Sequence, residues 1–405
     1  MQSHHTAQVL VIGAGPAGCA AALTLARAGI DTILVDQTRF PRDKVCGDAL
    51  IPDALRALGS LGVAADVLSA ARLASRLDIY APDGSRVEIT GRLAFLPRMH
   101  LDDTLRRAAT AAGARFLAPL RLAAFVWHDG VVQGARFKAS GSRYEVSVGA
   151  RLVVLATGAA PAPLELAGVC LRKAPSGIAL RGYFRAERLA GELDNPCISF
   201  DRSICPGYGW VFPGPDGVFN VGAGYFHDAR RLPDAGSVRR VFAAFVERFP
   251  PARRVVAQGE PIAPLKGAPL RTALKGALLA RRGLLVAGEA AGSTYSFSGE
   301  GIGKALETGV LAGEQAVALF HGHLDETMLA AAYTDRVMTG LAPRFAAYEA
   351  AQRWLSYPAV CNFIAARARR SARLREQLAG LLAESGQPGE LFSWRGLLRL
   401  LVARS

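Results

Sequence analysis

Gly13-Ala14-Gly15-Pro16-Ala17-Gly18 follows directly on an apolar run at residues 9–12 and opens a segment of small residues that reaches Gly29. In this spacing the first glycine permits a tight turn, the second lets the backbone approach a bulky anion, and the third allows a helix to pack closely on a strand. Unpaired amides at the helix N-terminus then receive a pyrophosphate. Residues 32–35 read as a second strand ending at Asp36-Gln37, and Asp36 lies 23 residues beyond Gly13, where a carboxylate accepts hydrogen bonds from an adenosine ribose. The competing reading, a glycine-rich turn without a ligand, does not account for the complete strand–turn–helix–strand setting.

A second element decides which dinucleotide. The apolar run 283–287 is followed by Gly288-Glu289-Ala290-Ala291-Gly292, and Ser298-Gly299-Glu300-Gly301-Ile302 then opens an Ala- and Gly-rich helix to about residue 320. A helix N-terminus aimed at a flavin pyrimidine edge stabilises the negative charge of the reduced ring, a need that simple nicotinamide dehydrogenases lack. The two elements together indicate FAD.

The elements that must position these groups follow from the hydrophobic pattern. Residues 9–12, 32–35, 151–156 and 283–287 are short, β-branched and buried in character, which fits the parallel sheet of a doubly wound α/β domain. Alternating stretches at 76–80, 86–90, 131–137, 179–185 and 218–223 read as antiparallel strands of a second sheet. The expected organisation is a discontinuous FAD-binding domain at 1–75, 99–165 and 276–325, an inserted substrate domain at 76–98 and 166–275, and a helical C-terminal region at 326–405.

The 405 residues carry a net charge of +14, nearly all from arginine, with lysines only at 44, 138, 173, 266, 275 and 304. No aromatic–basic platform accompanies the charge, so nucleic acid is not an expected partner. Cys19, Cys46, Cys170, Cys197, Cys205 and Cys361 form no CxxC pair and have no His cluster beside them, which argues against a metal site and for free thiols. No run reaches ~18 apolar residues and residues 1–8 do not form a signal sequence, so a cytoplasmic chain is expected.

Four blocks carry a family resemblance: Gly13 to Gly18 with Asp36; Lys44-Val45-Cys46-Gly47-Asp48; Tyr208-Gly209-Trp210-Val211-Phe212-Pro213 with Asn220-Val221-Gly222; and Gly288 to Ile302. They resemble the geranylgeranyl reductase family, flavoproteins sharing a fold with para-hydroxybenzoate hydroxylase and the flavin-dependent halogenases. The Lys-x-Cys-Gly loop is similar to that of bacterial menaquinone reductases. The resemblance implies that Lys44, Cys46 and Gly47 approach the isoalloxazine, with Cys46 as proton donor or ring contact, and that Arg98 contacts the linking portion of FAD. Read on residue type alone, Cys46 is a small buried hydrophobe and Arg98 a surface ion pair. A thiol of lowered pKa needs a nearby cation such as Lys44. Tyr208, Trp210 and Phe212 alternate, so a strand points all three to one side, as core filling or as an aromatic wall for an extended apolar substrate.

Two departures stand out. Thr157-Gly158 replaces the Asp-Gly of related hydroxylases, which leaves the electron donor, NADPH or a reduced carrier, open; Glu289 and Ser296 replace the usual Asp and Pro of the second flavin motif. The activity implied is reduction of a carbon–carbon double bond in an apolar prenyl-type substrate, geranylgeranyl or prenyl-quinone, by hydride from flavin N5. A flavin-dependent monooxygenase or halogenase acting on an aromatic is the alternative. Its halogenase form wants a lysine near the substrate, yet none occurs between Lys44 and Lys138. A flavin-bound scaffold without turnover is the third reading. At the C-terminus, Arg367, Arg369, Arg370, Arg373 and Arg375 read as one basic helix. Trp394, Leu397, Leu398 and Leu401, beside Arg395 and Arg399, fall at helical spacing. That helix either docks on its own domain or lies peripherally on the inner membrane face.

Overall fold

The computed structural model describes residues 2–139, 144–226, 235–272, 274, 277–296, 298–386, 388–393 and 396. Its first sheet has a parallel core in the order Arg115–Leu117, Thr32–Val35, Gln2–Ile12, Glu145–Leu155, Leu284–Val286. Val9, Leu10, Val11, Ile33, Leu34 and Leu152 to Leu155 are inaccessible, as strands covered on both faces require. The first strand is longer than the apolar run suggests. Residues 2–7 pair in register with 145–150, because a polar, alternating stretch can form the half-solvated end of a strand.

One sheet assignment is corrected. Residues 131–137 belong to the first sheet, since Val131–Ala139 pairs antiparallel with both Leu120–His128 and Glu145–Leu155. Alternation reports one covered face and does not say which sheet supplies the cover. The second sheet also starts earlier than residue 76, with Arg72 opposite Phe95 and the short strand Ala49–Leu50 at its edge. Its remaining strands are Gly177–Arg185, Cys197–Ser199, Gly207–Pro213, Val218–Phe226, Glu260–Pro261 and Lys266–Leu270. One face packs Leu180, Phe184, Val211 and Phe219 against Phe242 and Phe245 of the helix Ala235–Arg248. The other face, with Trp210 and Phe212, turns to the first sheet's loops.

The helix after the glycine motif is Pro16–Arg27, with proline in its first turn, where a missing N–H costs nothing. The C-terminal arginines do not share one helix. Ser371 ends Pro358–Arg370 and caps Ala372–Leu382, its Oγ accepting from the Leu374 amide at 3.2 Å. These helices cover Ala81, Val87 and Ile89 of the second sheet. Residues 394, 395 and 397–401, the proposed amphipathic segment, lie outside the described residues. Among those described, no helix is long and apolar enough to cross a membrane.

One buried cation ties the layers. Lys304, on the helix Ile302–Phe320, is fully buried and meets Asp53 of Pro52–Ser60 and Glu384 beyond Ala372–Leu382, each at 2.6 Å. Burial raises the pKa of Asp53, Lys304 opposes the rise and Glu384 adds to it. Lys304→Met therefore leaves buried Asp53 without its counter-charge and Glu384 with Arg344 alone, and should cost about 3–5 kcal/mol near neutral pH. Because the stranded carboxyls regain neutrality by taking up protons, the deficit relative to the unaltered protein should shrink in urea denaturation near pH ~5. A deficit that does not depend on pH would contradict this assignment.

Candidate active site

Ile12, Val35, Leu155 and Val286 are paired in register, so the loops after four parallel strands leave the same edge of the sheet. That edge is where open α/β sheets bind ligands. Gly13 stands at φ +103°, and a Cβ there would lie 2.4 Å from the Ala156 carbonyl oxygen. A Cβ on Gly18 would lie 1.7 Å from the Gly13 carbonyl oxygen, the close helix–strand contact the motif calls for. Gly15 differs: a Cβ would meet only Nη2 of Arg98 at 3.8 Å and Nη2 of Arg42 at 3.9 Å, facing the open cleft. Asp36 is buried, its Oδ2 accepting from the Ala14 amide and its Oδ1 from the Thr38 amide, both at 2.9 Å. Pro16, Ala17 and Gln37 line the same cleft, whose volume is about 780 Å³.

Arg98 is not a surface residue. It begins the helix Arg98–Ala111 and is held bidentately by buried Asp102 at 2.7 and 2.8 Å. Burial opposes its charge, and Asp102 overrides that opposition. Arg42, which the sequence reading passed over, contacts Asp102 at 3.0 Å and Asp36 at 3.5 Å. Two fixed guanidinium groups thus flank Gly15, as recognition of a pyrophosphate demands. The available signal was an arginine six residues past Asp36, with Asp102 one helical turn past Arg98.

The Cys46-Gly47 turn sits under the aromatic strand. A Cβ on Gly47 would come within 3.2 Å of the Phe212 ring and 3.6 Å of Trp210 Nε1. Tyr208, Trp210 and Phe212 all line the cleft, the first donating to the Ser298 carbonyl and the second to Asn220 Oδ1 at 2.9 Å. Trp210 and Phe212 also pack on Leu77, Leu93 and Phe95, so the wall is part of the core. The condition set for a thiol of lowered pKa, a nearby cation, is met by Arg98 more than by Lys44, and burial outweighs both. Burial pushes the Cys46 thiol up, with Arg98 the main opposing charge, and Lys44 lies 3.7 Å from Glu289.

Glu289 lies in a single turn, Gly288–Ala291, and its Oε1 accepts from the Arg271 amide at 3.2 Å. Gly299, Gly301 and Ile302 bring the N-terminus of Ile302–Phe320 to the cleft. Thr157 also lines the cleft, and its buried Oγ1 has no hydrogen-bond partner among the described residues. The open face at Gly15, the paired arginines and this orphaned hydroxyl fit FAD. Its pyrophosphate would rest on Gly13 to Gly18, Arg42 and Arg98, and its ring between the Cys46-Gly47 turn and the Gly301-Ile302 helix end. Gly15→Val should leave the apoprotein's melting temperature nearly unchanged, since a Cβ there meets nothing nearer than guanidinium nitrogens at 3.8 and 3.9 Å, while FAD affinity in fluorescence titration falls roughly tenfold or more. Undiminished affinity would exclude this placement of the pyrophosphate.

Residues 6–181 match the family model described as FAD binding domain. A menaquinone reductase from Mycolicibacterium smegmatis is 33% identical over 76% of this chain and 76% of its own. A digeranylgeranylglycerophospholipid reductase from Methanosarcina acetivorans is 29% identical over 81% of this chain and 79% of its own. A geranylgeranyl bacteriochlorophyll reductase-like protein from Thermoplasma acidophilum superposes with a TM-score of 0.77 at 20% identity, covering 98% of this chain and 96% of that one, which establishes the shared fold. With these relatives joined to the glycine motif, the arginine pair and the Cys46 turn, the chain belongs to the geranylgeranyl reductase family of FAD-dependent oxidoreductases.

Proposed function

We propose that the protein reduces a carbon–carbon double bond in an apolar isoprenoid chain, of the geranylgeranyl or prenyl-quinone class. The observation that carries this reading is the aromatic face of Gly207–Pro213 laid over a half-buried cysteine turn in an otherwise apolar part of the cleft. The relatives support the substrate class, because menaquinone and digeranylgeranylglycerophospholipid share polyprenyl chemistry. Bound and reduced, FAD supplies the hydride from N5.

The chain's own residues do the rest. Tyr208, Trp210 and Phe212 orient an extended apolar chain and exclude water. Cys46 holds a proton on Sγ, kept there by burial, and releases it to the carbon that does not receive hydride. The thiolate so formed is stabilised by the Arg98 charge until solvent restores its proton. The reducing equivalents come from an external donor, NADPH or a reduced carrier.

Anaerobic incubation of dithionite-reduced enzyme with a prenyl quinone or a geranylgeranyl lipid should yield product heavier by two hydrogens in mass spectrometry. A strict oxygen requirement, with hydroxylated or halogenated aromatic product, would replace this reading with the monooxygenase or halogenase one. Cys46→Ala should lower turnover about 100-fold while FAD binding stays within roughly threefold. Full activity in that variant would transfer the proton to bound water.

A further inference from the structure

Asp48 is buried beside the cysteine turn, and among the described residues no Lys or Arg side chain forms an ion pair with its carboxyl group. Its backbone stands at φ +64°, a conformation that glycine adopts more easily. Three donors converge on the carboxyl. The Arg98 amide, at the start of Arg98–Ala111, donates to Oδ1 at 3.2 Å; Asn220 Nδ2 donates to Oδ2 at 2.8 Å, and the Tyr183 hydroxyl donates to the same oxygen. Asn220 is itself fully used: Nδ2 also donates to the Cys46 carbonyl at 2.8 Å, and Oδ1 accepts from Trp210 Nε1. A single carboxyl thereby joins the turn to Gly177–Arg185, to Val218–Phe226 and to a helix start.

We infer that Asp48 is the positioning residue of the site, an acceptor-only clamp that holds the Cys46-Gly47 turn in its flavin-binding shape against Trp210 and Phe212. The inference rests on the placement of that turn against FAD. The hydrogen-bond inventory makes the clamp specific. Asparagine offers one oxygen and one NH₂, so in one orientation it points a donor at the Arg98 amide, and in the other at Asn220 Nδ2. Asn220 cannot flip to relieve this without losing Trp210. Glycine relaxes the backbone and forfeits all three bonds.

The clamp is also sensitive to pH. Burial raises the Asp48 carboxyl to about 6, against the Tyr183 and Asn220 hydrogen bonds and the charges of Arg181 and Arg98; the neighbouring titratable thiol is Cys46. Above that value the carboxylate accepts from all three donors. Below it a proton occupies one oxygen and one donor loses its acceptor, so the turn loosens as pH falls.

The test is FAD affinity of the whole protein between pH 5 and 8, read by flavin fluorescence quenching, for the unaltered chain, Asp48→Asn and Tyr183→Phe. Affinity of the unaltered protein should fall as pH drops through about 6. Asp48→Asn should bind roughly tenfold more weakly at pH ~7.5, with a flattened profile. Tyr183→Phe keeps the ring over which Arg181 stacks but removes one donor to the carboxylate, so the midpoint should move upward by about one pH unit. Should Asp48→Asn fail to fold, the Tyr183→Phe midpoint still decides. Unchanged affinity and profile in Asp48→Asn, or an unmoved midpoint in Tyr183→Phe, would overturn the inference. No substrate enters these titrations. A protein that shows the shifts yet hydrogenates no prenyl chain retains the clamp and loses the reductase reading, whereas turnover with unshifted profiles does the reverse.

Discussion

The closeness of two helices is the constraint on which the remainder depends. Pro16–Arg27 and Ile302–Phe320 can converge only because side chains are missing between them. A Cβ on Gly309 would lie 2.1 Å from the Ala17 carbonyl oxygen, one on Gly313 would lie 2.8 Å from Thr24 Cβ, and one on Gly288 would lie 2.7 Å from Ala17 Cβ. This contact brings two helix N-termini, distant in sequence, to one cleft. Their partial positive charges would then serve two parts of a single dinucleotide, the central pyrophosphate and the ring.

Charge inside the protein follows from that geometry. Two positive helix ends and two guanidinium groups in one cleft would repel each other without compensation. Asp36 and Asp102 answer the arginines, while Asp53 and Glu384 surround Lys304 behind the second helix end. Each such pair is costly to desolvate, so its benefit lies in fixing geometry more than in raising stability.

The parallel strands, the glycine motif and the second flavin motif were legible because each depends on local sequence: a β-branched run, a spacing of glycines, a small-residue helix. The strand at residues 131–137 was assigned to the wrong sheet because period-two alternation carries no information about its partner. Arg42 and Asp102 went unread because they function only as a pair bridging a loop and a helix. Asp48 was visible as the last residue of the block Lys44 to Asp48, but its three donors come from residues 98, 183 and 220, and no short-range pattern links them. For the same reason the sequence offered Lys44, and not Arg98, as a cation near the Cys46 thiol. Lys44 is adjacent in sequence, yet Arg98 has the stronger effect on the sulfur.

Glu384 lies just past the helix Ala372–Leu382, yet its carboxyl contacts a lysine three residues past the glycine that precedes the helix Ile302–Phe320. Arg344 of the long helix Glu326–Leu355 meets the same carboxyl at 3.0 Å. The C-terminal helices thus brace the helix whose N-terminus lines the cleft, rather than forming an appendage. A chain cut short before residue 384 would strip Lys304 of one of its two closest carboxylate partners, and the flavin pocket would register the loss some eighty residues from the break.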